Sequence, residues 1–165
     1  MAHTPNKPLR TQFVYRRCHP GDYQALRFLV RESWPVDMRD QVDDILKDAL
    51  THPDSTAIFG CFANEEAVAY AQVSMRQEYT EGASIYPIAY LDALYIRQNL
   101  RSLGVGQRLV DLVTTYVNSL GIEELAADCL SSDLQQFELY LQSGFEEVSQ
   151  MTHFVKSIPL KMRRS

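Results

Sequence analysis

The stretch from 88 to 120 constrains this chain more than any other. "IAYLDALYI" (88–96) is rich in strand formers and reads as a strand. "RQNLRSLGVGQ" follows and runs into a helix, where Leu109, Leu112, Val113 and Tyr116 or Val117 share one face. Gly104 and Gly106 let the backbone of the loop approach a ligand closely. The first helical turn offers unpaired N–H groups and the positive end of a dipole. Arg101 and Arg108 bracket the loop and add charge, so the segment suits an anion. No Gly-Lys-Ser/Thr follows, and the third glycine of a dinucleotide fingerprint is missing. On these residues alone, a tight turn with incidental arginines is an equally good reading.

The flanking sequence predicts what surrounds that unit. "FVYRR" (13–17) reads as a strand stopped at Pro20-Gly21, and Asp22 can cap a helix over "YQALRFLVRES", which Trp34-Pro35 breaks. A second helix fits 37–52, on the spacing of Val42, Ile45, Leu46 and Ala49. Strands at 56–63 and 67–79 join through a turn at Asn64-Glu65-Glu66. After the helix, which Gly121 stops, come a short strand (122–128) and a helix (132–144) capped by Ser131 or Ser132. One or two strands over 145–160 end the order β-α-α-β-β-β-α-β-α-β, an α/β fold with hairpins first and crossover helices after.

Composition narrows the function. A chain of 165 residues suits one domain, 1–165, with 1–12 and 161–165 loose. Its net charge of -5 disfavours nucleic acid and suits a cationic ligand. No apolar run is long enough for a membrane span, and the N-terminus lacks the apolar core of a signal peptide. The three cysteines show no CxxC spacing and the four histidines no ligand spacing, so neither a disulfide framework nor a metal site is expected. These features point to a cytoplasmic protein.

"Arg101-x-x-Gly104-x-Gly106" after an "LYI" strand resembles the acyl-CoA pyrophosphate loop of the GNAT N-acetyltransferases. A second landmark, Tyr140-x-x-x-Gly144-Phe145, follows the next strand. The resemblance covers about 13–157 and implies the GNAT fold: a central, mixed, twisted sheet of about six to seven strands flanked by about four helices. It implies acetyl-CoA as cofactor. Leu94, Tyr95 and Ile96 would pair with pantetheine. Arg101, Ser102, Leu103, Gly104, Val105, Gly106, Gln107 and Arg108 would hold the pyrophosphate, and Asp133 stands where the family has a cofactor-contacting Asn.

"MRQEYTEGASIYPIAYLDALYI" is similar, more narrowly, to a segment of bacterial aminoglycoside 6'-N-acetyltransferases. Ser33-Trp34-Pro35, the stretch Glu124 to Asp128 and His153 to Lys156 match further pieces of that group. The resemblance implies direct transfer of an acetyl group to a primary amine, the 6'-amino group of an aminoglycoside-like substrate, and a homodimer formed through terminal strands. Such chemistry needs a base for the amine, a donor for the oxyanion and a proton for the departing thiolate. Asp92, in place of a family Glu, would be the base or hold the cationic substrate; otherwise it is a strand Asp paired with a nearby cation. Tyr140 would be the general acid; otherwise it packs on the core. Asp128 would contact the substrate or cap the next helix. Trp34 and Tyr79 would wall a sugar ring or pack in the core, and Glu81 would add negative charge or stay solvated. Ser84 and Ser149 replace acidic residues of that group, which leaves the pocket less acidic. Other acceptors (a polyamine, an amino sugar, an amino acid or a protein lysine) fit the same fold, as does a non-catalytic CoA-binding module.

Overall fold

A computed structural model describes residues 12–158. Five strands form one sheet in chain order: β1 (Phe13–Arg17), β2 (Thr56–Ala63), β3 (Glu66–Arg76), β4 (Ile88–Ile96) and β5 (Leu125–Ala127). The first four pair antiparallel, and β5 joins β4 in parallel. Asn64 and Glu65 both take positive φ (50° and 69°), the conformation a two-residue hairpin between β2 and β3 demands.

Helices cover both faces. On one lie α1 (Tyr23–Ser33) and α2 (Arg39–Thr51), whose Leu26, Leu29, Val42 and Leu46 bury against Ile58, Phe62 and Tyr70. On the other lies α3 (Val105–Ser119), whose Leu109, Val110 and Val113 bury against Phe59, Ala71, Val73 and Leu91; Tyr140 of α4 (Leu134–Gln142) joins this core. Alternation along each strand sends successive side chains to opposite cores, so the central strands are apolar on both faces.

The segment 145–158 forms no strand, contrary to the sequence expectation, and the sheet has five strands among the described residues rather than six to seven. A strand needs a ladder partner and a face to bury. Phe154 and Val155 have neither and stand 91% and 96% exposed. Boundaries and caps also differ: β3 ends at Arg76 rather than 79, β5 spans only Leu125–Ala127 of 122–128, and α4 only Leu134–Gln142 of 132–144. A 3-10 turn at Val36–Met38 takes the residues after Pro35, so α2 starts two residues later than the spacing predicted. Asp133, not Ser131 or Ser132, caps α4 by accepting from the Gln136 N–H at 3.0 Å. Asp22 precedes α1 but spends its carboxylate on Arg16 and the His19 N–H. The expected loose ends fall almost wholly outside the described residues.

Candidate active site

Two irregularities in β4 create the site. Gln72 faces Ala93 and Val73 faces Leu91, so Asp92 is an extra residue, a bulge. Leu91 and Leu94 stay with the α3 core, while Asp92 and Ala93 both turn to the α1/α2 face. The second irregularity is on the other edge. Pairing with β5 stops at Leu91–Ala127, so β4 from Asp92 onward has no partner there. Apart from the Ile96 carbonyl, which accepts from Arg101, this edge is left for another extended chain.

A groove of ≈ 450 Å³ lies along that open edge. Leu94 and Ile96 line its strand side, Arg101, Ser102, Gly104, Gly106 and Gln107 its loop side, and Asp133, Gln136 and Leu139 its far wall. The loop turns through positive φ at Ser102 (69°) and at Gly104 (77°). The first intrahelical bond of α3 runs from the Arg108 N–H to the Gly104 carbonyl (3.1 Å). The N–H groups of Val105, Gly106 and Gln107 therefore have no intrahelical partner. A Cβ on Gly104 would meet nothing within 4 Å, and Gly104, Gly106 and Gln107 all border the groove. Arg101 donates from Nε to the Ile96 carbonyl (3.1 Å), which folds its guanidinium back over the loop. Unpaired helix-start amides, a guanidinium and a hydroxyl fit the diphosphate of CoA.

The expected groove residues do not all face it. Arg108 lies over the Tyr15 ring, 5.6 Å from its centroid, on the side of the first strands. Its side chain is exposed at the β1 side of α3 and does not line the groove. Tyr95 packs on Tyr70 (ring centroids 6.4 Å) in the α1/α2 core. Val105 is buried, and the Leu103 side chain is exposed to solvent; neither lines the groove.

A smaller cavity of ≈ 80 Å³ opens on the opposite face. Val30 and Trp34 from the α1 end, Val42, Ile45 and Leu46 of α2, and Tyr70, Gln72, Asp92 and Ala93 of the sheet line it. It is apolar apart from the strand residues. The Asp92 carboxylate is ion-paired, as one of the two sequence readings had it: Arg76 Nη2 stands 2.6 Å from Oδ1. Arg76 lies over the Tyr90 ring, 3.5 Å from its centroid, and the Tyr90 hydroxyl donates to Asp128 Oδ1 at 2.6 Å. Burial, reinforced by that bond to Asp128, pushes the Tyr90 hydroxyl up to about 12, so it stays a donor. Asp128 thus serves a tyrosine, not a helix cap. Sequence reasoning missed Arg76 and Tyr90; the signal was their place two residues apart from Ser74 and Asp92 on alternating strands.

The remaining predicted residues are spread. Tyr140 is 7% exposed, packs on Phe145 (5.1 Å) and accepts from Gln136 Nε2 at 2.7 Å. Burial raises its hydroxyl well above the ordinary tyrosine range. Gln136, not Tyr140, lines the groove. Tyr79 is exposed and donates to Glu81 at 2.6 Å, and neither lines the cavity that holds Trp34. Among the described residues no group of three or more acidic, His or Cys side chains could hold a metal ion, and no helix is long and apolar enough to cross a membrane.

Known proteins share this fold. The chain is 29% identical to an aminoglycoside N(6')-acetyltransferase type 1 of Stenotrophomonas maltophilia over 139 residues, 84% of this chain and 90% of that protein. It is 26% identical to the Serratia marcescens enzyme of the same name, covering 86% and 97%. The fold matches aminoglycoside N-acetyltransferase AAC(6')-Iy bound to CoA with a TM-score of 0.83 at 22% identity, covering 92% of this chain and 99% of that one. AAC(6')-Iy bound to a bisubstrate analogue, CoA-S-monomethyl-acetylneamine, matches with a TM-score of 0.81, again at 22% identity, covering 90% and 100%. The acetyltransferase (GNAT) family model matches residues 16–145, which take in the bulged strand, the glycine loop and Tyr140 together, and the chain therefore belongs to the GNAT acetyltransferase family.

Proposed function

We propose that this chain is an acetyl-CoA-dependent N-acetyltransferase whose acceptor is a primary amine, foremost the 6'-amino group of an aminoglycoside-like substrate. One observation carries the reading. The groove and the cavity lie on opposite faces of β4, and Asp92 and Leu94, two residues apart, line one each. The relatives named above carry aminoglycoside acetylation in their names, which supports the acceptor class.

Bound acetyl-CoA supplies an activated acetyl thioester. Arg101, Ser102 and the amides of Val105 to Gln107 would hold its diphosphate, and the strand edge at Leu94 and Ile96, unpaired with β5, would receive its polyamide arm. Asp92 faces the cavity, draws in the protonated amine and takes its proton, directly or through water. The proton for the departing thiolate is assigned to Tyr140, which lies behind Gln136 of the groove wall, keeps its own proton across the neutral range and accepts from Gln136. Trp34 lines the acceptor side and Asp128 acts on it through Tyr90, whereas Tyr79 and Glu81 pair with each other outside the cavity lining.

The chain works as one domain. Its cysteines are unpaired, in keeping with a reducing, cytoplasmic setting. The exposed Met151, Phe154, Val155 and Ile158 support a homodimer that covers them. Sedimentation at several concentrations tests that part, and a monomer at every concentration refutes it.

A thiol-release assay tests the chemistry. The panel is kanamycin, tobramycin, their 6'-hydroxyl analogues, spermidine and a lysine peptide. Release with the 6'-amino compounds and none with the hydroxyl analogues is expected. Release only with the other amines keeps the reaction and discards the aminoglycoside acceptor. The apolar lining beside Asp92 favours that second reading, with an acceptor that carries a hydrophobic shoulder next to its amine.

A further inference from the structure

Four side chains from three strands form one polar line beside the cavity. Arg76 closes β3, Tyr90 and Asp92 sit on β4, and Asp128 follows β5. Arg76 holds Asp92 Oδ1 at 2.6 Å and stacks on Tyr90 at 3.5 Å, and Tyr90 is tied to Asp128 at 2.6 Å. Asp92 Oδ2 takes no hydrogen bond from the described residues. We propose that Arg76 is the positioning residue of the acceptor site: it grips one oxygen of Asp92 and leaves the other to the incoming amine, while Tyr90, anchored by Asp128, is the plate on which Arg76 lies. The inference rests on the reading of Asp92 as the group that meets the amine.

The bulge makes such a clamp necessary. Asp92 has no partner on β5, and the bond from Arg76 is the one side-chain hydrogen bond among the described residues that fixes its carboxylate. A guanidinium lying over a ring can offer N–H groups only at its own edge, so the stack aims the donor. The line also sets charge. Two carboxylates and one guanidinium leave a single net negative charge facing the cation that arrives.

The test compares Arg76→Gln, Arg76→Lys and Tyr90→Leu with the unaltered chain, using the best amine of the panel. For Arg76→Gln, kcat is expected to fall about 100-fold, the loss typical of a reacting group misplaced by an ångström. The KM for acetyl-CoA and the thermal midpoint should not move. Arg76→Lys restores charge without the planar fork and should recover only part of the loss. Tyr90→Leu should fall in the same direction, and its effect should not add to that of Arg76→Gln. A kcat for Arg76→Gln within twofold of the unaltered chain overturns the proposal. So does a fall in amine KM at constant kcat, which would make Arg76 a competitor of the amine. If the unaltered chain acetylates nothing, the functional reading fails by itself, and crystals decide the clamp. Asp92 in one rotamer with Arg76 and in several without it upholds the clamp; one unchanged rotamer in both refutes it.

Discussion

Leu139 of α4 packs directly over Gly106 of α3. A Cβ on Gly106 would stand 2.7 Å from Leu139 Cδ2 and 3.2 Å from Ile96 Cδ1. The glycine therefore lets α4 close onto the start of α3, and the Ser143 hydroxyl, donating to Gln107 Oε1 at 3.1 Å, fastens the same contact. Gly106→Ala should cost about 1–3 kcal/mol, the range for overpacking a filled site. Because Gly106 and Leu139 also line the groove, CoA affinity should fall with it. Urea unfolding and calorimetric titration with CoA measure both.

Gly104→Ala should behave differently. Nothing lies within 4 Å of its Cβ position, but its φ is 77°. The cost is backbone strain of about 1 kcal/mol, without a steric clash in the core. A smaller drop in stability than for Gly106→Ala, in the same titration series, is the expected outcome.

Asp92→Asn keeps the shape and most of the Arg76 contact but removes the base. Turnover should drop about 100- to 10000-fold, the usual worth of a general base. CoA binding, on the other face of the strand, should be unchanged. Steady-state kinetics beside calorimetry separates the two; weakened CoA binding would place Asp92 in the cofactor groove.

Acid should loosen the joint between β1 and α1. Asp22 accepts from both terminal nitrogens of Arg16 (2.7 and 2.8 Å) and from the His19 N–H (2.9 Å). The Arg16 bonds come first in holding its carboxyl below the ordinary range; the His19 N–H and the nearby positive charges act in the same direction, against its burial. A lowered folded-state value means that this stabilisation is fully present above the unfolded value of about 3.9. It is lost as pH falls through the folded value. Asp22→Asn should therefore be less stable at neutral pH, with the gap closing below about pH 4. Denaturation midpoints across that interval give the curve.

Glu124 clasps the loop before β4. Its carboxylate accepts from the Ser84 N–H (2.8 Å), the Ser84 hydroxyl and the Ile85 N–H (3.4 Å), and these bonds lower its ionisation below the usual carboxylate range. Glu124→Ala should speed amide exchange at Ser84 and Ile85 about tenfold while leaving β2 and β3 protected. Exchange unchanged at both amides would show that other contacts hold the loop.

The parts of this molecule written in local periodicity were legible. The strand 88–96, the hairpin at 64–66 and the helix after Gly106 appear within a few residues of where spacing and turn residues put them. What failed was geometry across the chain. Arg108 lies close to the loop in sequence yet faces Tyr15, because the helical rotation of 100° per residue outweighs proximity. Arg76 and Asp128 are far apart in sequence and meet through Tyr90 only once β3, β4 and β5 are aligned. The final segment carries strand-like residues without a strand, since alternation states a preference and a partner must satisfy it. Asp92 was legible as a choice between catalyst and ion pair. The structure gives it the ion pair and a free oxygen together, an outcome that composition does not contain.

The groove and the cavity open on opposite faces of β4. Neither reactant then has to pass the other to reach the bulge. Order of addition should be random, with each product able to escape while the other stays. Excess amine should slow the enzyme little, because no dead-end complex walls off the nucleotide end of the groove.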